Sequence, residues 1–388
     1  MAKETEVHFS RLLALLLVGL LTIPAILPLM QPALPHSADG LLHLYRVAAL
    51  KEAVAQGEFF PRWLPALAYG YGFPLFVFYA PLAYYLTLAL AFLPITLPVS
   101  LNLSVALAML TAASGMYLFA EALLGQRAGV LAAIAYVYAP FHLTNALFRG
   151  GLPAAWAMAA FPLAFWLFTR LLTDSRSLRS PLLPLAALVL AAAMLMHNTL
   201  SLLLVPLLGL YLGLALLIQW RQRRDFHPLV AVGLALLLST GLAAFFLLPA
   251  MVEKQFAQVE RVVISPDFDF HFHFVSPAEL PALPPAANTG LSNPDIPLSL
   301  GAVQVALAVI GLGAGLFRLW RGETPPPFAI VLALLFAAIA VLGSVMMMLP
   351  VSVGLWEALP LLAFVQFPHR LLALTALALA VLAGLAVA

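Results

Sequence analysis

Ten stretches of this chain run at the length of a membrane helix with almost no charge: 12–30, 99–122, 127–147, 152–172, 181–197, 199–220, 228–250, 298–318, 327–349 and 369–388. A helix that crosses the ~30 Å hydrocarbon layer needs ~20 mostly apolar residues, because lipid offers its backbone no partner. A chain built largely from such runs has lipid as its solvent. Composition agrees: 64% of the residues are hydrophobic and 9% charged, too few charges to cover a water-soluble domain. The expected fold is therefore all-α, one polytopic transmembrane bundle over 1–388 with about ten spans.

The same figures exclude several functions. A net charge of +2 with no basic run argues against a nucleic-acid partner. Cysteine is absent, which removes thiol catalysis, disulfides and thiolate metal sites. The first run follows a polar stretch, Met1 to Arg11, and leads into Gln31-Pro32-Ala33, not a small-residue cleavage site, so it reads as an uncleaved helix. The last run has no polar tail, which leaves room for the chain to continue beyond residue 388.

Orientation follows from arginine and lysine. Loops near 121–128, 170–180, 220–228 and 318–323 share one side. They carry Arg127, Arg170, Arg176, Arg179, Arg221, Arg223, Arg224, Arg318 and Arg321 against Glu121, Asp174, Asp225 and Glu323. That side is expected to be cytoplasmic, and the protein an integral component of a bacterial cytoplasmic (inner) membrane with its functional face outward. Two polar loops, 31–98 and 251–297, then lie outside, provided that the apolar run 74–98 does not cross. Its prolines (Pro74, Pro81, Pro94, Pro98) and tyrosines (Tyr79, Tyr84, Tyr85) favour a juxtamembrane or re-entrant helix over an eleventh span.

With this topology His36, His43, His142, His197, His271, His273 and His369 face outward. Several sit at span ends, beside Asn145, Arg149, Asn198 and Arg370. Ionisable groups at such depth are costly and commonly line a cavity; each taken singly also fits a headgroup-level or capping role. Residues 39–56 read as an amphipathic helix with Leu42, Tyr45, Ala49 and Ala53 as apolar positions. Asp39, His43 and Arg46, spaced by four and three, share a face. Asp39 also suits an N-cap, its carboxylate accepting first-turn amides. Polar residues inside spans (Thr111, Ser114, Ser239, Thr240) read as helix–helix hydrogen bonds, and Gly311-x-Gly313-x-Gly315 as close packing.

Three segments carry a resemblance. Asp39 after the first span is followed by Pro61-Arg62-Trp63, then Tyr69-Gly70-Tyr71-Gly72-Phe73-Pro74, Tyr79 and Pro81. The second is Phe268-Asp269-Phe270-His271-Phe272-His273-Phe274-Val275-Ser276, and the third Phe364-Val365-Gln366-Phe367-Pro368-His369-Arg370. The first resembles the first outer loop of GT-C superfamily glycosyltransferases. Taken together, they resemble bacterial polytopic membrane proteins described as 6-pyruvoyl-tetrahydropterin synthase related, in which Trp or a similar residue usually stands at the position of His369. The resemblance implies sugar transfer from a polyprenyl-phosphate carrier to an envelope lipid, glycan or protein acceptor, with Asp39 as base or acceptor-positioning group.

That chemistry asks for a base, cations at the leaving phosphate and a site that holds the reactants in line. Asp39 and His43 are the candidate catalytic residues. Arg46, Arg62, Tyr71, Tyr79, His142, Arg149, His197, Asn198, Lys254 and Arg370 are the candidate substrate contacts. The resemblance does not decide whether a metal is used; a divalent cation is compatible with Asp267, Asp269, His271 and His273, which alternate at spacing two. The competing reading of that segment is an interfacial strand with Phe268, Phe270, Phe272 and Phe274 on its buried side. A transporter or flippase of lipid-linked precursors and a non-catalytic scaffold stand as alternatives. The absence of an internal repeat and the one-sided charges weigh against the transporter.

Overall fold

The computed structural model describes residues 10–174, 177–223, 227–257, 265, 267–283, 298–322 and 328–388. His8, Arg176, Arg224, Asp225, Glu323 and much of the loop 251–297 lie outside the described residues. From the amino terminus the helices are α1 (Arg11–Ile26), α2 (Gly40–Ala55), α3 (Leu75–Phe78), α4 (Leu82–Ala91), α5 (Leu97–Leu124), α6 (Gln126–Val137), α7 (Pro140–Leu143), α8 (Leu152–Thr173), α9 (Leu182–Met194), α10 (Asn198–Arg223), α11 (His227–Glu253), α12 (Ala302–Trp320), α13 (Phe328–Met348), α14 (Val353–Ala358), α15 (Pro360–Ala363) and α16 (Leu372–Leu385).

The fold is all-helical, as lipid demands of a backbone that must satisfy its own hydrogen bonds. Among the described residues eight helices are long and apolar enough to cross a membrane, or nine if the pair Gln126–Val137 and Pro140–Arg149, bent by 53°, is one span. The expected tenth span, 181–197, is reduced to α9. Its 13 residues rise only about 20 Å. It ends at Met194, three residues before His197, which lies on the wall of a polar cavity.

The run 74–98 does not form a span. It breaks into α3, of 4 residues, and α4, of 10. Pro74 and Pro81 stand at their N-caps, where the missing amide costs nothing. The helix expected over 39–56 is present as α2, with its faces in part as expected. Ala49 and Ala53 are buried, together with His43, Val47 and Leu50, whereas Leu42 and Tyr45 are 47% and 62% exposed. The helix thus carries apolar residues both toward the bundle and away from it, and His43 joins the buried side.

The centre of the bundle is α5 packed between α6 and α8, with α16 buried against α6, α12 and α13. Phe119, Phe165, Tyr211 and Phe336, from α5, α8, α10 and α13, stack edge-on or tilted with ring centroids 5.2–5.7 Å apart. Each such pair contributes about 0.5–1.5 kcal/mol beyond its buried area. Interhelical hydroxyl bonds join Thr87 to Ser104, Thr169 to Tyr211 and Ser344 to Thr375, each at 2.7 Å. Thr111, Ser114, Ser239 and Thr240 do not do this. Each donates to a carbonyl one turn back in its own helix, which satisfies the hydroxyl without a neighbour.

The segment 267–274 is not an extended strand. Phe270–Phe272 form a 3₁₀ turn, because the Asp269 carboxylate accepts the His271 amide at 3.1 Å and caps it. Phe270 is buried against Trp356 of α14, at 5.2 Å between ring centroids, whereas Phe272 is exposed.

Candidate functional site

Five interruptions in the helices converge at one end of the bundle. They are the approach to α2, the joint between α3 and α4, the break before α8, the junction of α9 and α10, and the start of α16. In lipid, polar side chains and free backbone groups are tolerated where a helix stops and its neighbours cover the gap. The five gaps line a small open cavity of about 60 Å³, formed by Asp39, His43, Tyr79, Phe141, Asn145, Arg149, Gly151, Pro153, Ala154, His197, Leu200 and Arg370.

The break before α8 builds the acidic side. After α7 the chain winds into a π-helical turn, Thr144–Arg149, and Gly150 takes a left-handed conformation, φ +67°. The carbonyls of Phe148 and Arg149 then accept the amides of Ala38 and Asp39, at 3.1 and 2.8 Å. This strap sets the Asp39 carboxylate 3.6 Å from Arg149 Nε. Asp39 occupies the N-cap position of α2, yet its side chain makes no capping bond. Its carboxylate is given to the cavity.

The basic side comes from the Phe364–Arg370 turn. Gln366, at φ +65°, is one of few non-glycine residues in that region, a sparsely populated conformation that costs of order 1–3 kcal/mol and concentrates at functional sites. The turn lets Arg370 Nη1 donate to the Val365 carbonyl at 2.7 Å and to Gln366 Oε1 at 3.4 Å, while its guanidinium lies 4.8 Å from the Phe367 ring centroid. Arg149 donates to His369 Nε2 at 3.4 Å and lies 5.7 Å from the same ring.

Tyr79 is held from both sides by Asn198, which donates to the Phe78 carbonyl at 2.7 Å and accepts the Ala80 amide at 2.9 Å. Its ring faces Arg46 at 4.7 Å and His197 at 6.4 Å. Behind it the Tyr84 hydroxyl meets both His43 Nδ1, at 2.8 Å, and Arg46 Nη1, at 3.0 Å. Burial, with the Arg46 charge beside it, pushes the His43 imidazolium down to about 3, so the ring is neutral. Burial likewise raises the Tyr84 hydroxyl well above its usual range, and it keeps its proton.

Of the residues singled out in the sequence, Asp39, His43, Tyr79, Arg149, His197 and Arg370 line the cavity. Arg46 and Asn198 stand behind Tyr79. The others lie elsewhere. Arg62 pairs with Glu253 at the exposed end of α11. Tyr71 is 86% exposed on the loop before α3. Lys254 lies over Phe364, 5.8 Å from its ring centroid. His142 is fully buried, edge-on to Tyr136. Asp269 Oδ1 meets His271 Nδ1 at 2.6 Å, His271 Nε2 meets Glu357 at 3.3 Å, and His273 Nε2 meets the Asp267 carbonyl at 3.1 Å. Among the described residues no group of three His, Asp or Glu side chains is arranged to hold a metal ion. Tyr84, Asn145 and Gly150 were not among the expected site residues. Of these, Tyr84 carried a signal as one of the tyrosines of the Pro-rich 74–98 run, and Asn145 as a polar residue beside His142 at a span end.

The fold and site define a multi-span helical membrane protein of GT-C-like architecture, with a polar cavity gathered at one end from helix breaks. The chain belongs to the 6-pyruvoyl-tetrahydropterin synthase related family of membrane proteins, whose profile matches residues 76–388. The matched range takes in the 268–276 and 364–370 segments and, of the first, Phe76 to Tyr85. No curated protein matches the chain in sequence. The structure is similar to that of ArnT from Cupriavidus metallidurans bound to undecaprenyl phosphate, with a TM-score of 0.54 and 16% identity over 97% of this chain and 60% of that one. It is also similar to the oligosaccharyltransferase AglB from Archaeoglobus fulgidus in complex with an inhibitory peptide and a dolichol-phosphate. There the TM-score is 0.57 and identity 15%, over 97% of this chain and 50% of that one. At these identities the likeness is one of fold. The chain spans 60% of the length of the first protein and half that of the second.

Proposed function

We propose that this chain is a glycosyltransferase that moves a sugar from a polyprenyl-phosphate carrier to an envelope lipid, glycan or protein acceptor at the outer face of the bacterial cytoplasmic membrane. The observation that carries this reading is one cavity holding a carboxylate with no capping duty, Asp39, together with the guanidiniums of Arg149 and Arg370. In the reaction the acceptor oxygen attacks the anomeric carbon and the bond from that carbon to the phosphate oxygen breaks. The acceptor proton passes to Asp39, and the polyprenyl phosphate leaves with the bonding pair. Arg370 and Arg149 stabilise the charge that develops on its oxygen. Tyr79 supplies a flat face for the sugar ring, and the prenyl tail lies among lipid-exposed helices. The likeness in fold to proteins whose structures hold undecaprenyl phosphate and a dolichol-phosphate supports the carrier class.

Asp39→Asn tests the reading, because it keeps shape and removes the base. Transfer from a polyprenyl-phosphate sugar by the purified protein is expected to fall by roughly 10²–10⁴-fold. Full transfer by this variant at normal protein level would refute the assignment.

A further inference from the structure

We propose that His43 and His197 face the cavity as neutral imidazoles protonated on Nε2, donating to substrate oxygens, so that Asp39 is the one base in the cavity. The inference rests on the glycosyl-transfer reading only for what those oxygens belong to. The protonation itself follows from the hydrogen-bond inventory.

A guanidinium has donors and no acceptor. Arg46 Nη1 therefore donates to the Tyr84 oxygen. The Tyr84 hydroxyl has two further neighbours, the Tyr79 side chain and His43 Nδ1, the latter at 2.8 Å. An imidazole nitrogen is a stronger acceptor than a phenol oxygen, so the hydroxyl proton goes to His43 Nδ1, and the proton of a neutral ring sits on Nε2. The relay runs one way: Arg46 to Tyr84 to His43 to the cavity. His197 reaches the same state by another route. Its Nδ1 accepts the backbone amide of Leu200 at 3.3 Å, within the first turn of α10. An amide cannot accept, so this ring too carries its proton on Nε2. Both rings lie on the cavity wall, and neither Nε2 has a protein partner among the described residues. The titratable and charged groups around the two rings are Arg46, Tyr84, Tyr79, Asp39, Arg149 and Arg370. Two Nε2–H donors and two guanidiniums then face one carboxylate, a wall suited to the oxygens of a phosphate and of a sugar.

Here Tyr84 is a positioning residue. It touches no substrate, and it fixes which nitrogen of His43 holds the proton. The test is nitrogen NMR on the full chain, labelled with ¹⁵N-histidine and held in lipid nanodiscs. The signals are assigned by their loss in His43→Gln and His197→Gln. The expected result is an unprotonated Nδ1 and a protonated Nε2 at both residues, unchanged between pH 6 and 8. Tyr84→Phe is expected to disturb the His43 pattern and leave that of His197. An Nδ1–H tautomer or an imidazolium at either site would overturn the proposal, as would a His43 pattern indifferent to Tyr84→Phe. Kinetics give a second arm. The amide of His43→Gln reaches the Nε2 position and that of His43→Asn only the Nδ1 position. The glutamine variant should therefore exceed the asparagine variant in transfer by roughly 10- to 100-fold, the weight of a hydrogen bond to a charged group. Equal activities of the two variants would count against donation to substrate. The NMR arm needs no substrate, so a protein with the expected tautomers and no transferase activity would sink the reading of function and leave this inference standing.

Discussion

Replacing Gly150 by alanine tests how the Asp39 segment is held. Two features of the structure set the cost. The residue lies at φ +67°, where an L side chain crowds its own backbone by about 1–2 kcal/mol. An added Cβ would also stand 2.9 Å from the Gly40 nitrogen and 3.0 Å from Ser37 Cβ, in the strap that bonds to the Phe148 and Arg149 carbonyls. Relieving that crowding costs about 1–3 kcal/mol more. The sum is about 2–5 kcal/mol. With an unfolding entropy near 2.1 cal/mol/K per residue, a chain of 388 residues loses on the order of 3–6 °C in Tm. Scanning fluorimetry of the intrinsic tryptophans, with both proteins in one detergent, reads this directly. Ser37→Gly added to Gly150→Ala removes the side chain that is struck. It should restore the part of the crowding that Ser37 makes, but neither the contact with the Gly40 nitrogen nor the left-handed part, a coupling expected of residues in contact. An unchanged Tm in the single variant, or no recovery in the double, would refute this account of how Asp39 reaches Arg149.

Three further outcomes are expected. Arg370→Gln and Arg149→Gln should each weaken binding of a polyprenyl phosphate by roughly 10- to 100-fold, measured by isothermal titration, with little change in Tm for Arg149. The hydrogen bond to Asp269, and then that to Glu357, raises the His271 pKa above its ordinary value. A raised imidazolium adds stability fully below pH 6.5 and loses it as pH rises through its folded value. The Tm gap between wild type and His271→Gln should thus be larger at pH 6 than at pH 9, and a gap that widens with pH would contradict the pairing. Finally, a Cβ on Gly311 would run into the Leu382 carbonyl of α16, whereas one on Gly313 meets nothing. Gly311→Ala should destabilise the protein, and Gly313→Ala should raise stability by up to about 1 kcal/mol through helix propensity.

The apolar runs were legible because lipid imposes a length and a composition on anything that crosses it. The helix over 39–56 was legible for a related reason: spacings of four and three put Asp39, His43 and Arg46 on one face whatever surrounds them. Which of its apolar residues turned inward was only partly legible, since in a membrane an apolar side chain has lipid as an alternative to a core: Ala49 and Ala53 are buried, and Leu42 and Tyr45 are exposed. The shape of 267–274 was not legible. Alternation at spacing two suits a strand, but one carboxylate bond from Asp269 made it a 3₁₀ turn.

Within the site the division is similar. Charge counts marked Arg149, His197 and Arg370 as ionisable groups near span ends, at positions 149, 197 and 370 of the chain. No local pattern links residues so far apart. Their meeting depends on where helices stop: a π-helical turn and a left-handed glycine before α8, a short α9, and a strained Gln366 before α16. The sequence by itself thus determined a helical bundle in lipid, and an acid, an imidazole and a guanidinium on one face of a short helix. Only the tertiary structure decided which distant cations share the cavity with that acid, and that the Tyr84 hydroxyl meets His43, because such contacts are made through space by side chains whose separation along the chain carries no record of them.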